Sequence, residues 1–327
     1  MHKKITRRTF CSMLMALPFP ARAQQPTKIP RIGYLDAASL SVNAARIEAF
    51  RQGLRELGYV EGKNIVIEWR SAEGKLDRLP ALASELVGLK VDIIVSSGNS
   101  VTRSAKEATS TIPIVMAQDS DPVGSGTVAS LARPGGNITG LSTLAPELSG
   151  KRLELLKEIV SKLSRVAVLG TSTQPGYAQV LKELELAAGA LKVKLQYLDI
   201  LDAKDIEIAF RAAKKGRAQA ILTLSSPFLA SQRKQVADLA AKNRLPAMYP
   251  GSDFMDAGGL MYYGTNTPDL FRRAATYVDK ILKGRTPADL PVEQPMRFEF
   301  IISLIAADKI GLKVPPNVLV RATKVIR

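Results

Sequence analysis

Six short polar stretches, each at the end of an apolar run, hold residue types suited to capturing a charged small molecule. They are Asp36-Ala37-Ala38-Ser39, Ser96-Ser97-Gly98-Asn99-Ser100, Gln118-Asp119-Ser120-Asp121-Pro122, Thr171-Ser172-Thr173-Gln174, Ser225-Ser226-Pro227-Phe228 and Tyr249-Pro250-Gly251-Ser252-Asp253. In the second stretch, Gly98 and small hydroxyls open a helix. The first N–H groups of a helix lack backbone partners and carry the positive end of its dipole, a setting for a carboxylate. Asp119 and Asp121 suit an ammonium group. Each stretch alone reads as an ordinary helix cap. Together, with Tyr249 and Phe228 among them, they describe a cleft for an amino-acid-like solute.

What the chain lacks narrows the chemistry further. Its only histidine is His2 and its only cysteine is Cys11. Both fall in a leader built from Lys3, Lys4, Arg7 and Arg8, an apolar stretch over 10–19, and the small-x-small site Ala21-Arg22-Ala23. That is the layout of a secretory signal peptide over residues 1–23. The apolar part falls well short of the roughly 20 residues of a membrane-spanning helix. Thr6-Arg7-Arg8-Thr9-Phe10 leaves both the Sec and the twin-arginine routes open. Cys11 precedes the core of the apolar stretch at Leu14, Met15 and Leu17 instead of following it, so no lipid anchor is expected. Without His or Cys the mature chain has no Ser-His-Asp triad, no thiol nucleophile and no imidazole or thiolate zinc site. It shows no G-x-x-x-x-G-K-[ST] phosphate loop, and Gly124-Ser125-Gly126 is too short to stand for a dinucleotide loop. Carboxylate, lysine, tyrosine or serine chemistry and a hard-metal site remain open, so an enzyme is possible but unsupported; the expectation is an exported, periplasmic protein that is not an enzyme and has no metal or cofactor.

Of the formal charge of +16, the leader supplies five through Lys3, Lys4, Arg7, Arg8 and Arg22, leaving +11. The remaining Lys and Arg are scattered, with no basic run and no interleaved aromatics, so the charge reads as solvated surface rather than a nucleic-acid face. A mature chain of about 300 residues without disulfides must be stabilised by packed cores, and two domains are the natural expectation.

The elements that must position the polar stretches alternate regularly. Strands are expected at 31–35, 65–69, 91–95 and 113–116, with helices at 44–57, 76–89 and 100–108 between them. A turn at 133–137 leads to 138–142, and after a helix at 148–160 the pattern repeats. Strands fall at 165–169, 193–197, 220–224 and 246–248, with helices at 178–190, 203–214 and 229–242. Continuous Val/Ile strands between helices indicate parallel sheets covered on both faces, four or five strands in each half. Ligands of such sheets bind beyond the carboxyl ends of the strands.

Several motifs resemble the bacterial ABC-transporter substrate-binding family that includes tryptophan- and tyrosine-binding members. They are Phe50-Arg51-Gln52-Gly53-Leu54 with Leu57-Gly58-Tyr59-Val60-Glu61-Gly62-Lys63-Asn64, and Asp77-Arg78-Leu79-Pro80. Leu131-Ala132-Arg133-Pro134-Gly135-Gly136-Asn137, Lys151-Arg152-Leu153-Glu154-Leu155-Leu156 and Ala257-Gly258-Gly259-Leu260-Met261-Tyr262-Tyr263-Gly264 carry the same resemblance. It implies an α/β fold of type I periplasmic-binding architecture: two Rossmann-like lobes with the ligand cleft at the hinge. By analogy lobe 1 takes residues 28–141 plus 264–292, and lobe 2 takes 142–263 plus 293–327.

The resemblance also implies an extracytoplasmic binder of a small solute, an amino acid and in some relatives an aromatic one. The solute would be passed to an ABC permease and ATPase at the inner membrane, with the binder a monomer. On this resemblance the loop Ser97-Gly98-Asn99 lies in the cleft, where Ser97, Asn99 and Ser100 with their backbone amides take the α-carboxylate, and Asp119 or Asp253 the α-ammonium. Tyr34, Phe228 or Tyr249 would pack on the side chain, with Asp36, Asp121, Thr171 and Ser225 completing the cleft. The alternative is a periplasmic sensor that presents its solute to a membrane receptor.

Overall fold

The structure, a computed structural model, describes residues 28–327. The expected signal peptide lies outside the described residues. The chain opens with β1 (Arg31–Asp36), α1 (Ala44–Glu56), β2 (Val66–Ser71), α2 (Leu79–Gly88), β3 (Ile93–Ser96), α3 (Asn99–Ala108), β4 (Ile114–Asp119) and β5 (Ile138–Ser142). These strands form a 5-stranded parallel sheet in the order β2-β1-β3-β4-β5. Period-two alternation sends Ile32 and Tyr34 to one face, against Phe50 and Phe271, and Leu35 to the other, against Leu82 and Leu86.

The chain then crosses into a second lobe. It begins with α4 (Ala145–Ile159), β6 (Arg165–Gly170), α5 (Tyr177–Leu191), β7 (Lys194–Asp199), α6 (Ala203–Lys215) and β8 (Ala220–Thr223). It continues with α7 (Pro227–Ser231), α8 (Arg233–Lys242), β9 (Ala247–Tyr249), α9 (Asp253–Asp256) and β10 (Met261–Thr265). Next α10 (Thr267–Leu282) returns to the first lobe and packs along α1, where Phe271, Ala274 and Val278 join its core. The last segment supplies β11 (Phe298–Ser303), α11 (Leu304–Ile310), α12 (Pro316–Leu319) and β12 (Lys324–Ile326) to lobe 2.

The second sheet corrects the expected four or five parallel strands. It has 7 strands in the order β12-β11-β10-β9-β8-β6-β7, and β11 runs antiparallel to β10. The reason is connectivity. β10 ends at the hinge, the chain leaves for α10, and it comes back at that same end, so β11 must run the opposite way. Thr265 pairs with Phe298 at this point, which keeps Gly264 and Thr265 in lobe 2, while Ser142 ends β5 in lobe 1.

Three segments cross between the lobes, and they are tied together. Ser142 N donates to Glu293 O at 2.8 Å and Glu293 N to Gly140 O at 2.9 Å, joining the first crossing to the third. Thr139 Oγ1 donates to Leu290 O at 2.6 Å, and Arg273 of α10 pairs with the Glu293 carboxylate. The first crossing is also anchored to the end of β4, where Thr143 N donates to Asp119 O at 2.7 Å.

Candidate functional site

The carboxyl ends of the two sheets face each other across a cavity with about 950 Å³ of empty space, its open mouth included. Lobe 1 lines it with the loops after β1, β3 and β4, and lobe 2 with the loops after β6, β8 and β9 and with α4. Local sequence explains the aim of the β4 loop. Gly140 of β5 sits at φ +136, and a Cβ there would lie 2.2 Å from Met116 O. Only glycine lets β5 approach that closely, and the register shift between Met116 and Asp119 turns the end of β4 toward the cavity.

The first loop is internally satisfied. The Asp36 carboxylate accepts from both the Ala38 amide at 3.0 Å and Asn43 Nδ2 at 2.9 Å, and burial still raises its pKa above the ordinary carboxylate value. The second and third loops keep free valences. Ser97 Oγ is buried and makes no well-formed hydrogen bond, although it is near enough to the Asp36 carboxylate to oppose the rise in its pKa, and Gln118 Nε2 holds the Ser97 carbonyl at 3.1 Å. Asp119 Oδ1 accepts from Asp121 N at 3.2 Å, whereas Oδ2 is buried and unpartnered; burial pushes this carboxyl up to about 7. In lobe 2, Asp253 Oδ1 is likewise unpartnered, and its Oδ2 lies 3.7 Å from Arg46 of α1 across the cleft.

Other contacts also span the lobes. Asn99 Nδ2 approaches Pro175 O at 3.5 Å, and Ser100 Oγ donates to Gln174 Oε1 at 3.3 Å. These contacts bridge the two lobes directly. A side compartment of about 310 Å³ shares Ser120, Gln174 and Ser225 with the main cavity and adds Tyr177, Val180 and Leu224.

Of the residues expected at the site, Asp36, Ser97, Gly98, Asn99, Asp119, Ser225 and Asp253 line the cavity. The others lie elsewhere. Tyr34 is buried between Phe50 and Trp69, ring centroids 5.7 and 4.7 Å away, and Tyr249 stacks on Phe254 at 4.6 Å. Tyr34 is inside β1 and Tyr249 ends β9, and both side chains stand normal to the sheet under the covering helices instead of reaching past the strand ends. Phe228 packs toward the core under α7. Thr171 Oγ1 donates to Ile200 O at 3.0 Å and sits 2.9 Å from Ser226 Oγ, fastening neighbouring loops. Asp121 accepts from Gly124 N at 2.8 Å and forms a turn. The side chains expected to take a carboxylate are largely committed, because Asn99 Oδ1 accepts from Ser120 N at 2.8 Å and Ser100 reaches Gln174.

The sequence reading missed Asn43, Arg46, Arg152 and Phe254, and gave no contact to Gln118 and Gln174 of the cleft stretches, all of which line the cavity. Arg152 left a legible signal. It falls on the apolar stripe of α4 with Leu148, Leu155 and Ile159, where a charged residue is out of place. It is the only buried Lys or Arg among the described residues, 3% exposed, and burial pulls its guanidinium down to about 10. Its Nε donates to Tyr263 O at 2.7 Å. No helix among the described residues is long and apolar enough to cross a membrane, and no cluster there could hold a metal ion.

Two α/β lobes, three crossings and a polar cavity between opposed strand ends define a solute-binding protein of the type I periplasmic-binding architecture. The chain belongs to the family of ABC transporter substrate binding proteins, which it matches over residues 39–326. It is 25% identical over 256 residues to a tyrosine-binding protein of Clostridioides difficile, covering 78% of this chain and 73% of that one. A conserved domain protein of Vibrio cholerae has the same fold, with a TM-score of 0.86 at 27% identity, covering 91% of this chain and 100% of the other. So does an ABC domain from Streptococcus pneumonia in complex with L-Trp, with a TM-score of 0.83 at 24% identity, covering 90% of this chain and 100% of that one. The family comprises solute-binding proteins, not enzymes; its members are extracytoplasmic, take a small molecule and work with an ABC transporter.

Proposed function

We propose that this protein captures an amino-acid-like solute in the periplasm by lobe closure and, as a monomer, delivers it to the permease and ATPase of an importer. The observation that carries the reading is that three residues lining one cavity each hold a buried, unpartnered polar atom: Ser97 (Oγ) and Asp119 (Oδ2) from lobe 1, and Asp253 (Oδ1) from lobe 2. Buried polar atoms are normally paired, and each one left bare costs about 1–3 kcal/mol. A solute with an ammonium group would satisfy the two carboxylates, and Ser97 would hydrogen-bond it from the side. Phe254, Leu148 and the compartment beside Tyr177 offer apolar walls for a side chain.

Because the vacancies come from both lobes, a solute that fills them binds the closed state better than the open one, and so shifts the population toward closure. The names of similar proteins support an amino acid, since one is a tyrosine-binding protein and another was solved with L-Trp. Isothermal titration of solute-free protein with the twenty standard amino acids tests the reading. Micromolar binding of at least one, with tyrosine and tryptophan the first to try, is the expected outcome. No heat from any of them would end the amino-acid assignment.

A further inference from the structure

We propose that the solute carries an acidic group and that Arg152 is its receptor, reading the acid from lobe 2 while the carboxylates of the cleft read the opposite end. This rests on the cavity being the solute site and deepens that reading. It also moves the acid away from the start of α3, where the sequence had placed it.

Three observations converge. Arg152 is buried, yet no carboxylate lies within ion-pair distance of it among the described residues, whereas the other cleft arginine, Arg46, faces Asp253. The only hydrogen bond its guanidinium makes there is from Nε to the Tyr263 carbonyl, so both terminal nitrogens remain free, and the residue lines the cavity. The guanidinium is a planar fork whose free edge matches a carboxylate in bidentate geometry. A buried charge without a counter-ion is strongly unfavourable, and a chain retains one where something else neutralises it. The surroundings agree: burial dominates the lowered pKa, and the only opposing influences come from Tyr262 and Tyr263, not from an acid.

The anchor of Nε adds a consequence. Tyr263 belongs to β10, two residues before the strand ends at the second crossing, so the arginine that meets the acid is fastened to the hinge strand. Asn99 and Ser100 are engaged with Ser120, Pro175 and Gln174, which leaves Arg152 as the strongest unused donor in the cleft.

The test uses the mature protein, freed of co-purified solute by unfolding and refolding, with thermal shift and titration. The probes are L-tyrosine with tyramine, L-tryptophan with tryptamine, and a panel of short mono- and dicarboxylates with their amides. Wild type is expected to bind the acid of a pair and discriminate against its acid-free partner. Arg152→Met is expected to weaken acid binding by roughly 100-fold, the scale for losing one member of a buried charge pair, and to erase the discrimination. Arg152→Lys should restore part of it. Without solute, Arg152→Met should melt no lower than wild type, because the variant removes an uncompensated charge; a merely structural arginine would lower it.

Equal binding of acid and acid-free partner by wild type overturns the proposal, and needs no variant to fold. So does Arg152→Met binding the acid as tightly as wild type, and so does the absence of any shift across the whole carboxylate panel. If no amino acid binds but another carboxylate raises the melting temperature of wild type and not of Arg152→Met, the amino-acid reading falls and the role of Arg152 stands.

Discussion

Asp119 holds its proton up to about 7, because its carboxyl is buried and one of its oxygens has no donor. The unfolded chain releases the same proton near 3.8, the ordinary value for an aspartate. Between these two values the folded state binds more protons than the unfolded one, so this group makes the solute-free protein less stable as pH rises through that window, by at most about 4 kcal/mol. Asp119→Asn should remove that component, so urea midpoints of variant and wild type should diverge in favour of the variant between pH 4 and 8. Binding has the opposite dependence. An ammonium group needs the ionised carboxylate, so affinity should be roughly tenfold weaker at pH 6 than at pH 8, and flat with pH in Asp119→Asn. Titration calorimetry at the two pH values checks this.

At the same scale, the sequence showed the loop polar groups well and the helix-borne ones poorly. Asp36 and Asp119 end apolar strands, Ser97 directly follows one and Asp253 comes four residues after another, and position near a strand end is enough to aim a residue at the cleft. Arg46 and Arg152 lie inside helices, and their approach to the cleft depends on how those helices pack, which spacing alone does not encode.

Among the elements, the strands and helices of lobe 1 were legible from periodicity, and β1, α1, β3 and α3 fall within two residues of their expected bounds. The breaks were not. A single helix expected over 229–242 is two, α7 and α8, separated at Gln232, with α7 begun by Ser226 and Pro227. The antiparallel β11 was hidden because strand direction is set by a crossover through the other lobe, not by local pattern. Gly140 explains why β4 and β5 lie as they do, and Gly53 does the same for two helices. A Cβ on Gly53 of α1 would lie 2.3 Å from the Arg272 carbonyl of α10, so glycine sets their close approach. Gly140→Ala should cost roughly 2–4 kcal/mol in a urea titration, combining left-handed strain with a backbone clash. Gly53→Ala should push α10 away from α1 and lower the melting temperature, with the far-ultraviolet spectrum unchanged.

The whole molecule couples a cavity to three tied crossings, so solute binding should act on both lobes together. At a hundred times its dissociation constant, a solute that binds only the folded state adds about 2.7 kcal/mol of stability. Intrinsic fluorescence should be nearly silent on this event. Trp69, the only tryptophan, sits on β2 against Tyr34 and Arg51, away from the cavity lining. A large emission change on saturation would place the solute near β2 instead. The two-lobed plan was readable because each half repeats strand, helix and strand. The contacts between the lobes, with Ser100 reaching Gln174 and Arg46 facing Asp253, join residues too far apart in sequence for pattern to connect. The most direct test is a crystal structure of the protein purified from cells grown in rich medium. The expected result is density for one small molecule between the lobes, in contact with Ser97, Asp119 and Asp253. Density for a solute bound elsewhere, or a saturated protein whose cleft holds only water, would contradict it.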